Sequence, residues 1–132
     1  MIAWSEKSEE PEVQILDLNY LERLSGHLGA DVASELLADG MLELADRLDR
    51  VAELADNADL EGLLRLTHDI TGASGHLGLS ALSRHAAEAN RHLRTVSPRA
   101  AVRVVRPLLD VRSASIEALG KYCRNSSMPK DT

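Results

Sequence analysis

Apolar side chains recur at steps of three and four residues along most of this chain, and that spacing is typical of one face of an α-helix. A clear run comprises Leu79, Leu82, Ala86, Ala89, Leu93 and Val96. No segment alternates between apolar and polar residues as a half-buried strand does. The pattern therefore predicts an all-α protein.

Composition narrows the class further. Aromatic residues make up only 2% of the 132 residues and apolar residues 44%, so the predicted core is aliphatic. The length fits one domain. A formal charge of −6 disfavours nucleic acid and membrane surfaces as partners, because both are bound by basic surfaces. No signal peptide and no apolar stretch that could cross a bilayer is evident, so we expect a cytoplasmic protein.

Turn-forming residues divide the chain into five predicted helices. The first covers about residues 18–25 and ends in a glycine-containing loop. The second is capped by Asp31 and buries a face formed by Leu37, Leu44, Leu48 and Val51. Asn57 and Asp59 separate it from the third helix, which they cap and which reaches His76.

A corner at Gly78 leads into the fourth predicted helix. Ser97-Pro98 is a typical start for the last helix, because serine can cap it and proline fits its first turn. Pro107 should kink or split that helix, since proline lacks the backbone donor that the helix interior needs.

Connections this short favour antiparallel neighbours. We therefore expect an up-down-up-down antiparallel four-helix bundle with a short N-terminal helix, formed by residues 15–123. Residues 1–14 are expected to be a flexible arm and residues 124–132 a flexible tail.

The most informative stretch is residues 63–79, LLRLTHDITGASGHLGL. On a helix, one apolar stripe that must face the core is formed by Leu63, Leu66, Ile70, Ala73 and Leu77. His68 then points away from that stripe, toward solvent. The same outer face carries Arg65, Gly72 and Gly75.

Glycines in the interior of this helix weaken it, since each costs about 1 kcal/mol relative to alanine. Gly72 and Gly75 lie one and two turns after His68, where they would let another protein's backbone or a tetrahedral group approach the imidazole. The alternative interpretation is that they let a neighbouring helix pack tightly. Their position away from the apolar stripe favours the first interpretation.

An imidazole in water is largely uncharged at neutral pH, so its ring nitrogen can attack phosphorus. The sequence contains no phosphate-binding glycine loop, no carboxylate cluster for Mg²⁺ and no kinase motif. The chain therefore offers a nucleophile at His68, and a partner would have to supply the metal and the transition-state stabilisation.

The stretch resembles the signature of histidine-containing phosphotransfer (Hpt) domains of two-component phosphorelays. In that family an exposed histidine is followed by an apolar residue two positions on, lysine three on, glycine four on, and a Leu-Gly pair nine and ten on. The matching positions here are His68, Ile70, Thr71, Gly72, Leu77 and Gly78. A weaker similarity extends over about residues 15–122. The departure is Thr71, which stands where the family has lysine.

The resemblance implies that His68 is a phosphoacceptor that exchanges a phosphoryl group with an aspartate of a response-regulator receiver domain. A hybrid histidine kinase is a second candidate partner. The receiver would bring Mg²⁺, so no intrinsic cofactor is expected, and the chain would be a phosphotransfer intermediate rather than an independent enzyme. Separately from the resemblance, we expect a monomer, with a homodimer through the second helix as the alternative. Gly72 and Gly75 would give clearance. Arg65 and Thr71 would be neighbours of the phosphoryl group, and Arg65 could replace part of the missing charge.

A receiver docking surface is expected around His68, with Leu36, Leu64 and Met41 as an apolar patch. That Leu36 and Met41 simply belong to the core fits the pattern equally well. The alternative function is a helical module that binds a receiver or a histidine kinase without being phosphorylated, and the missing lysine favours it.

The other histidines are interpreted without a catalytic role. His76 lies near a helix end and has no glycine four residues on, so we expect a surface or capping residue. His85 and His92 are two turns apart, about 10.5 Å along the helix axis, which is too far for one metal ion, and no metal site is predicted. His27 is expected to lie in a loop.

Overall fold

All regular structure in residues 14–127, the part of the chain that the computed structural model describes, is helical. The α-helices in that range are α1 (Leu18–Leu28), α2 (Ala30–Asp56), α3 (Leu60–His76), α4 (Ser80–Leu93), α5 (Ala101–Asp110) and α6 (Arg112–Ser127). One 3-10 turn, Pro98–Ala100, precedes α5. The predicted all-α class is confirmed.

Aliphatic side chains fill the core, as the composition predicts. The buried face of α2 contains Leu37, Leu44, Leu48 and Val51, and that of α3 contains Leu63, Leu66 and Ile70. Burying a side chain of this size contributes about 2 kcal/mol relative to leaving it exposed. The faces that the spacing predicts for these two helices are the faces that the fold buries.

Helix α2 has the most neighbours, since it packs against α1, α3, α5 and α6, whereas α4 packs mainly against α3 and α5. Only three residues connect α2 to α3. Gly40, in the first half of α2, lies so close to Leu77 that an added Cβ would be 2.6 Å from Leu77 Cδ2. Because Leu77 directly follows α3, α2 and α3 must run antiparallel.

The two ends of α3 are fixed by local interactions. At its start, the Asp59 carboxylate accepts a hydrogen bond of 2.9 Å from the Gly62 N–H, which confirms Asp59 as the cap. After its end, Gly78 has φ +73°, and a Cβ there would lie 2.8 Å from the side chain of Leu21. Glycine is therefore needed for the corner that leads to α4.

Two predicted boundaries near the first turn are wrong. Helix α1 continues through Gly26 and ends at Gly29, whose φ of +88° is incompatible with a continuing helix. His27 therefore lies in the last turn of α1 rather than in a loop, with Nδ1 2.8 Å from the carbonyl oxygen of Arg23. Asp31 is inside the first turn of α2 and is not its cap.

The C-terminal region is split as Pro107 predicts, although the break follows at Val111, between α5 and α6. Ser97 makes no side-chain capping bond. Helix α6 continues through Ser127, so it enters the segment 124–132 that the sequence predicts as a tail. The rest of that segment, residues 128–132, and residues 1–13 of the predicted arm lie outside the described residues.

No helix among residues 14–127 combines the length and the apolar composition that crossing a membrane requires.

Candidate functional site

His68 lies in the middle of α3, and its side chain is exposed. Thr67, immediately before it, and Ile70, two residues after it, are both fully buried. The helix therefore turns its apolar stripe inward and the imidazole outward, in the orientation expected from helical periodicity.

An open depression of about 430 Å³ lies beside His68, between α3 and the end of α4. Its lining residues are Leu64, Arg65, His68, Asp69, Asn90 and Arg94. Because the depression is open to solvent on its outer side, a group carried by another protein can reach the imidazole.

Asn90 joins α4 to α3 at this depression. Its side-chain amide donates hydrogen bonds to the carbonyl oxygen of Leu64, at 2.9 Å, and to Oγ1 of Thr67, at 3.0 Å. The Thr67 hydroxyl in turn donates to the carbonyl oxygen of Leu63 at 2.8 Å. Both amide protons of Asn90 are thus used within the fold, which leaves its Oδ1 as an acceptor.

Arg94 uses that acceptor. Its Nη2 donates to Asn90 Oδ1 at 3.0 Å, which holds the guanidinium at the edge of the depression that also contains His68. Among residues 14–127, no carboxylate forms an ion pair with Arg94. A positively charged side chain with no acidic partner therefore lies in the same depression as the exposed imidazole.

Arg65 lines the depression from the α3 side. Its Nη1 is 3.8 Å from Oε2 of Glu61, and the two side chains are 75% and 85% exposed. A solvated pair of this kind contributes at most about 0.5 kcal/mol, so Glu61 holds Arg65 only weakly.

Thr71 faces a neighbouring depression of about 310 Å³, which it lines together with Gly75, Ser83 and Arg84. The Thr71 hydroxyl donates to the carbonyl oxygen of Thr67 at 2.8 Å, and the Thr71 carbonyl accepts from Ser83 Oγ at 2.9 Å. Thr71 is therefore bonded into the α3–α4 contact, and its side chain is neutral.

The space around Gly72 and Gly75 shows whether packing within this chain requires glycine at these two positions. A Cβ added to Gly72 would meet nothing within 4 Å, and one added to Gly75 would meet only Ser83 Oγ, at 3.8 Å. A methyl group therefore fits at both positions within this chain. Tight packing against a neighbouring helix, the alternative interpretation, does not require glycine at either position.

The Hpt domain family model matches residues 35–122, which is two thirds of the chain. The chain belongs to this family. The matched residues include most of α2, all of α3, α4 and α5, and most of α6. No curated protein and no solved structure gives a match.

Of the three apolar residues expected to surround the histidine of this Hpt domain, the structure brings only Leu64 to it. Leu36 is 52% exposed and lies one turn before Gly40, toward the start of α2. Gly40 is level with Leu77, which follows the end of α3. His68 lies nine residues before Leu77, and because the two helices are antiparallel, this places His68 on the other side of that level from Leu36. At 1.5 Å per residue, Leu36 and His68 are about 20 Å apart along the helices. Leu36 does not line the depression that contains His68, and its part in receiver docking stays a prediction.

Met41 is half-buried and packs against the hydrophobic core. It lies two turns after Ser34, and Ser34 Oγ is 3.5 Å from the carbonyl oxygen of Cys123 in α6. Residues two turns apart share a helix face, so Met41 lies on the side of α2 that faces α6. The core interpretation is the correct one for Met41.

The other histidines of the Hpt domain lie away from this depression. His76 is exposed at the last position of α3, and its carbonyl oxygen accepts a hydrogen bond of 2.8 Å from the Tyr20 hydroxyl. His85 is half-buried and His92 exposed on α4. Within residues 14–127, no three or more histidine, cysteine or acidic side chains are grouped so as to hold a metal ion.

Asn90 and Arg94 are the site residues that the sequence analysis missed. Asn90 lies in the last turn of α4, and Arg94, four residues on, caps the C-terminal end of that helix, which is a visible pattern. The sequence does not show that this end of α4 adjoins His68, because that depends on how α4 packs against α3.

Proposed function

We propose that this Hpt domain relays a phosphoryl group between receiver-domain aspartates through phospho-His68. The observation that carries the proposal is an exposed imidazole in the middle of an Hpt-family helix, with an open depression beside it. The exposure leaves the ring nitrogen accessible, and the depression gives space for the phosphoryl oxygens.

The proposal includes an up-down-up-down arrangement of four helices. In this arrangement α2, α3 and α4 are three members, and α5 and α6 together form the interrupted fourth. The packing of α2 against α3, α5 and α6, and of α4 against α3 and α5, supports it. The short α1 packs against α2 outside this set of four.

The transfer step needs an unprotonated ring nitrogen on His68, and the family relationship favours Nε2, the nitrogen farther from the backbone. Its lone pair attacks the phosphorus of the receiver's aspartyl phosphate. A P–N bond forms, the P–O bond to the aspartate breaks, and the carboxylate leaves with the electron pair. In the onward step a second receiver's carboxylate attacks phosphorus and the imidazole leaves.

We propose that the receiver brings the Mg²⁺ that assists this step and that the present chain contributes position and access. Gly72 gives clearance, since no atom of this chain occupies the space a side chain would take there. Gly75 has the same role farther along α3. Leu64 supplies an apolar contact, and Arg65 would be a positively charged neighbour in the same depression. Thr71 would be a neutral neighbour.

The test is incubation of the purified protein with a phosphorylated receiver and Mg²⁺, followed by detection of acid-labile phosphate. We expect label on the wild type and none on His68→Gln. His76→Gln is the matched control, because His76 is another exposed histidine of the same helix, and it should keep full labelling. Full labelling of His68→Gln would refute the site.

A second candidate function is a module that binds a receiver or a histidine kinase without taking the phosphoryl group. The neutral Thr71 at the family's lysine position favours it, because its hydroxyl is bonded to the α3 backbone. Tight receiver binding without label on any histidine would identify this function. The monomeric state and the cytoplasmic location remain predictions from the sequence.

A further inference from the structure

The Hpt signature places a cation three residues after the histidine, and Thr71 removes that cation from α3. A phosphoryl group on His68 carries negative charge and presents oxygen acceptors, so an arginine that can reach it forms short, charge-assisted hydrogen bonds. The residues lining the depression around His68 include two arginines, Arg65 and Arg94.

We propose that Arg94, presented by the end of α4, is the cation that contacts the phosphoryl group on His68, and that Asn90 is its positioning residue. This inference rests on the proposed function. It assigns the role of the missing lysine to a different helix, and it replaces the expectation that Arg65 fills that role.

The first argument is how the two guanidinium groups are held. Arg94 donates to the neutral oxygen of Asn90 at 3.0 Å, which holds its guanidinium, and no carboxylate among residues 14–127, Asp69 of the same depression included, forms an ion pair with it. Arg65 instead lies 3.8 Å from the Glu61 carboxylate, which offsets part of its charge without fixing it. A side chain that is already ordered loses less conformational entropy when it binds.

The second argument is the number of donors. An arginine has five N–H donors in a planar fork, which fits phosphoryl oxygens two at a time. The bond to Asn90 uses a donor on Nη2, so the donors on Nη1 and Nε remain available.

The third argument is the place where Asn90 is attached. Its amide bonds the carbonyl of Leu64 and the hydroxyl of Thr67, residues of the helical turn that leads into His68. Arg94 is therefore tied, through one side chain, to the segment of α3 that presents the imidazole. Asn90 acts through Arg94 and need not touch the phosphoryl group.

The experiment compares Arg94→Ala, Arg94→Lys and Asn90→Ala with Arg91→Ala as the matched control, because Arg91 is an exposed arginine of α4 that does not line the depression. We expect transfer from a phosphorylated receiver to fall about tenfold in Arg94→Ala, the effect of losing one charge-assisted hydrogen bond. Arg94→Lys should recover part of the rate, and Arg91→Ala should keep the wild-type rate. Equal rates for wild type and Arg94→Ala, or equal losses in Arg94→Ala and Arg91→Ala, would overturn the inference.

A second readout separates this inference from the proposed function. Phosphoramidate can phosphorylate an exposed histidine without any receiver, and the pH titration of the resulting phosphohistidine can be followed by phosphorus NMR. A nearby guanidinium favours the more negative form of the phosphoryl group, so its titration midpoint should be higher in Arg94→Ala than in wild type. Asn90→Ala should shift the midpoint the same way by less.

The two failures are thus distinguishable. A wild type that accepts no phosphoryl group from any receiver contradicts the relay function. An unchanged titration midpoint in Arg94→Ala contradicts the role given to Arg94 and leaves the relay function untouched. A midpoint that moves in Arg65→Ala and not in Arg94→Ala would return the role to Arg65.

Discussion

Gly72 and Gly78 lie six residues apart in the chain, and the same added methyl group should affect them in opposite ways. At Gly72 the space is empty and the backbone is helical, so alanine removes the helix penalty of glycine. At Gly78 the positive φ and the side chain of Leu21 both oppose a Cβ. Alanine should therefore stabilise the helix at position 72 and destabilise the corner at position 78.

For Gly72→Ala we expect the free energy of unfolding in urea to rise by up to about 1 kcal/mol, while transfer from a phosphorylated receiver becomes at least severalfold slower. The new methyl group would project toward the partner rather than into this chain. Gly78→Ala is the control and should lose about 1 kcal/mol or more of stability. A Gly72→Ala variant with unchanged transfer would show that clearance is not the reason for glycine there.

The exposure of His68 could be predicted from sequence because it follows from the periodicity of a single helix. The stripe of Leu63, Leu66 and Ile70 fixes which side of α3 faces the core, and the imidazole must then face away. Arg94 and Asn90 could not be found in this way, since their relation to His68 depends on the packing between two helices. Met41 was ambiguous for the same reason.

At the scale of the helix, α3 owes its start to one side chain. The Asp59 carboxylate bonds the Gly62 N–H, one of the donors that the first turn leaves without a helical acceptor. Loss of this bond should fray the helix from its first turn toward His68.

We therefore expect Asp59→Ala to lower the free energy of unfolding by about 1 kcal/mol, measured by urea denaturation. Asp59→Asn keeps an oxygen that can accept the same bond and should lose clearly less. If the asparagine variant is as unstable as the alanine variant, the hydrogen bond is not what Asp59 contributes.

Helix boundaries differ in how well residue type predicts them. The boundaries predicted at Asp59 and Gly78 are correct because an aspartate cap and a glycine at positive φ each satisfy a specific backbone requirement. Gly26 misleads because a helix tolerates a glycine at a cost of about 1 kcal/mol, and the chain turns only at Gly29. Asp31 misleads because an acidic residue is also favoured inside a first turn.

At the scale of the whole molecule, stability depends on α2, which packs against four other helices. Leu48 is fully buried on its core face, and Leu42 on the same helix is 71% exposed. The two leucines therefore report separately on the core and on the surface.

Leu48→Ala should lower the free energy of unfolding by about 3 kcal/mol, because truncation removes buried apolar surface and leaves a cavity. Leu42→Ala should change it by less than about 0.5 kcal/mol. Urea denaturation followed by circular dichroism measures both. Similar losses in the two variants would contradict a core role that Leu48 has and Leu42 lacks.

The hydrogen bonds from Asn90 to α3 have one more consequence. They fix the axial register of α4 against α3, because an amide bonded to a carbonyl in mid-helix cannot slide without breaking both bonds. His68 and Arg94 therefore keep their relative heights when another protein presses on either helix. The imidazole of His68 and the guanidinium of Arg94 are therefore arranged as the chain folds, before any partner binds.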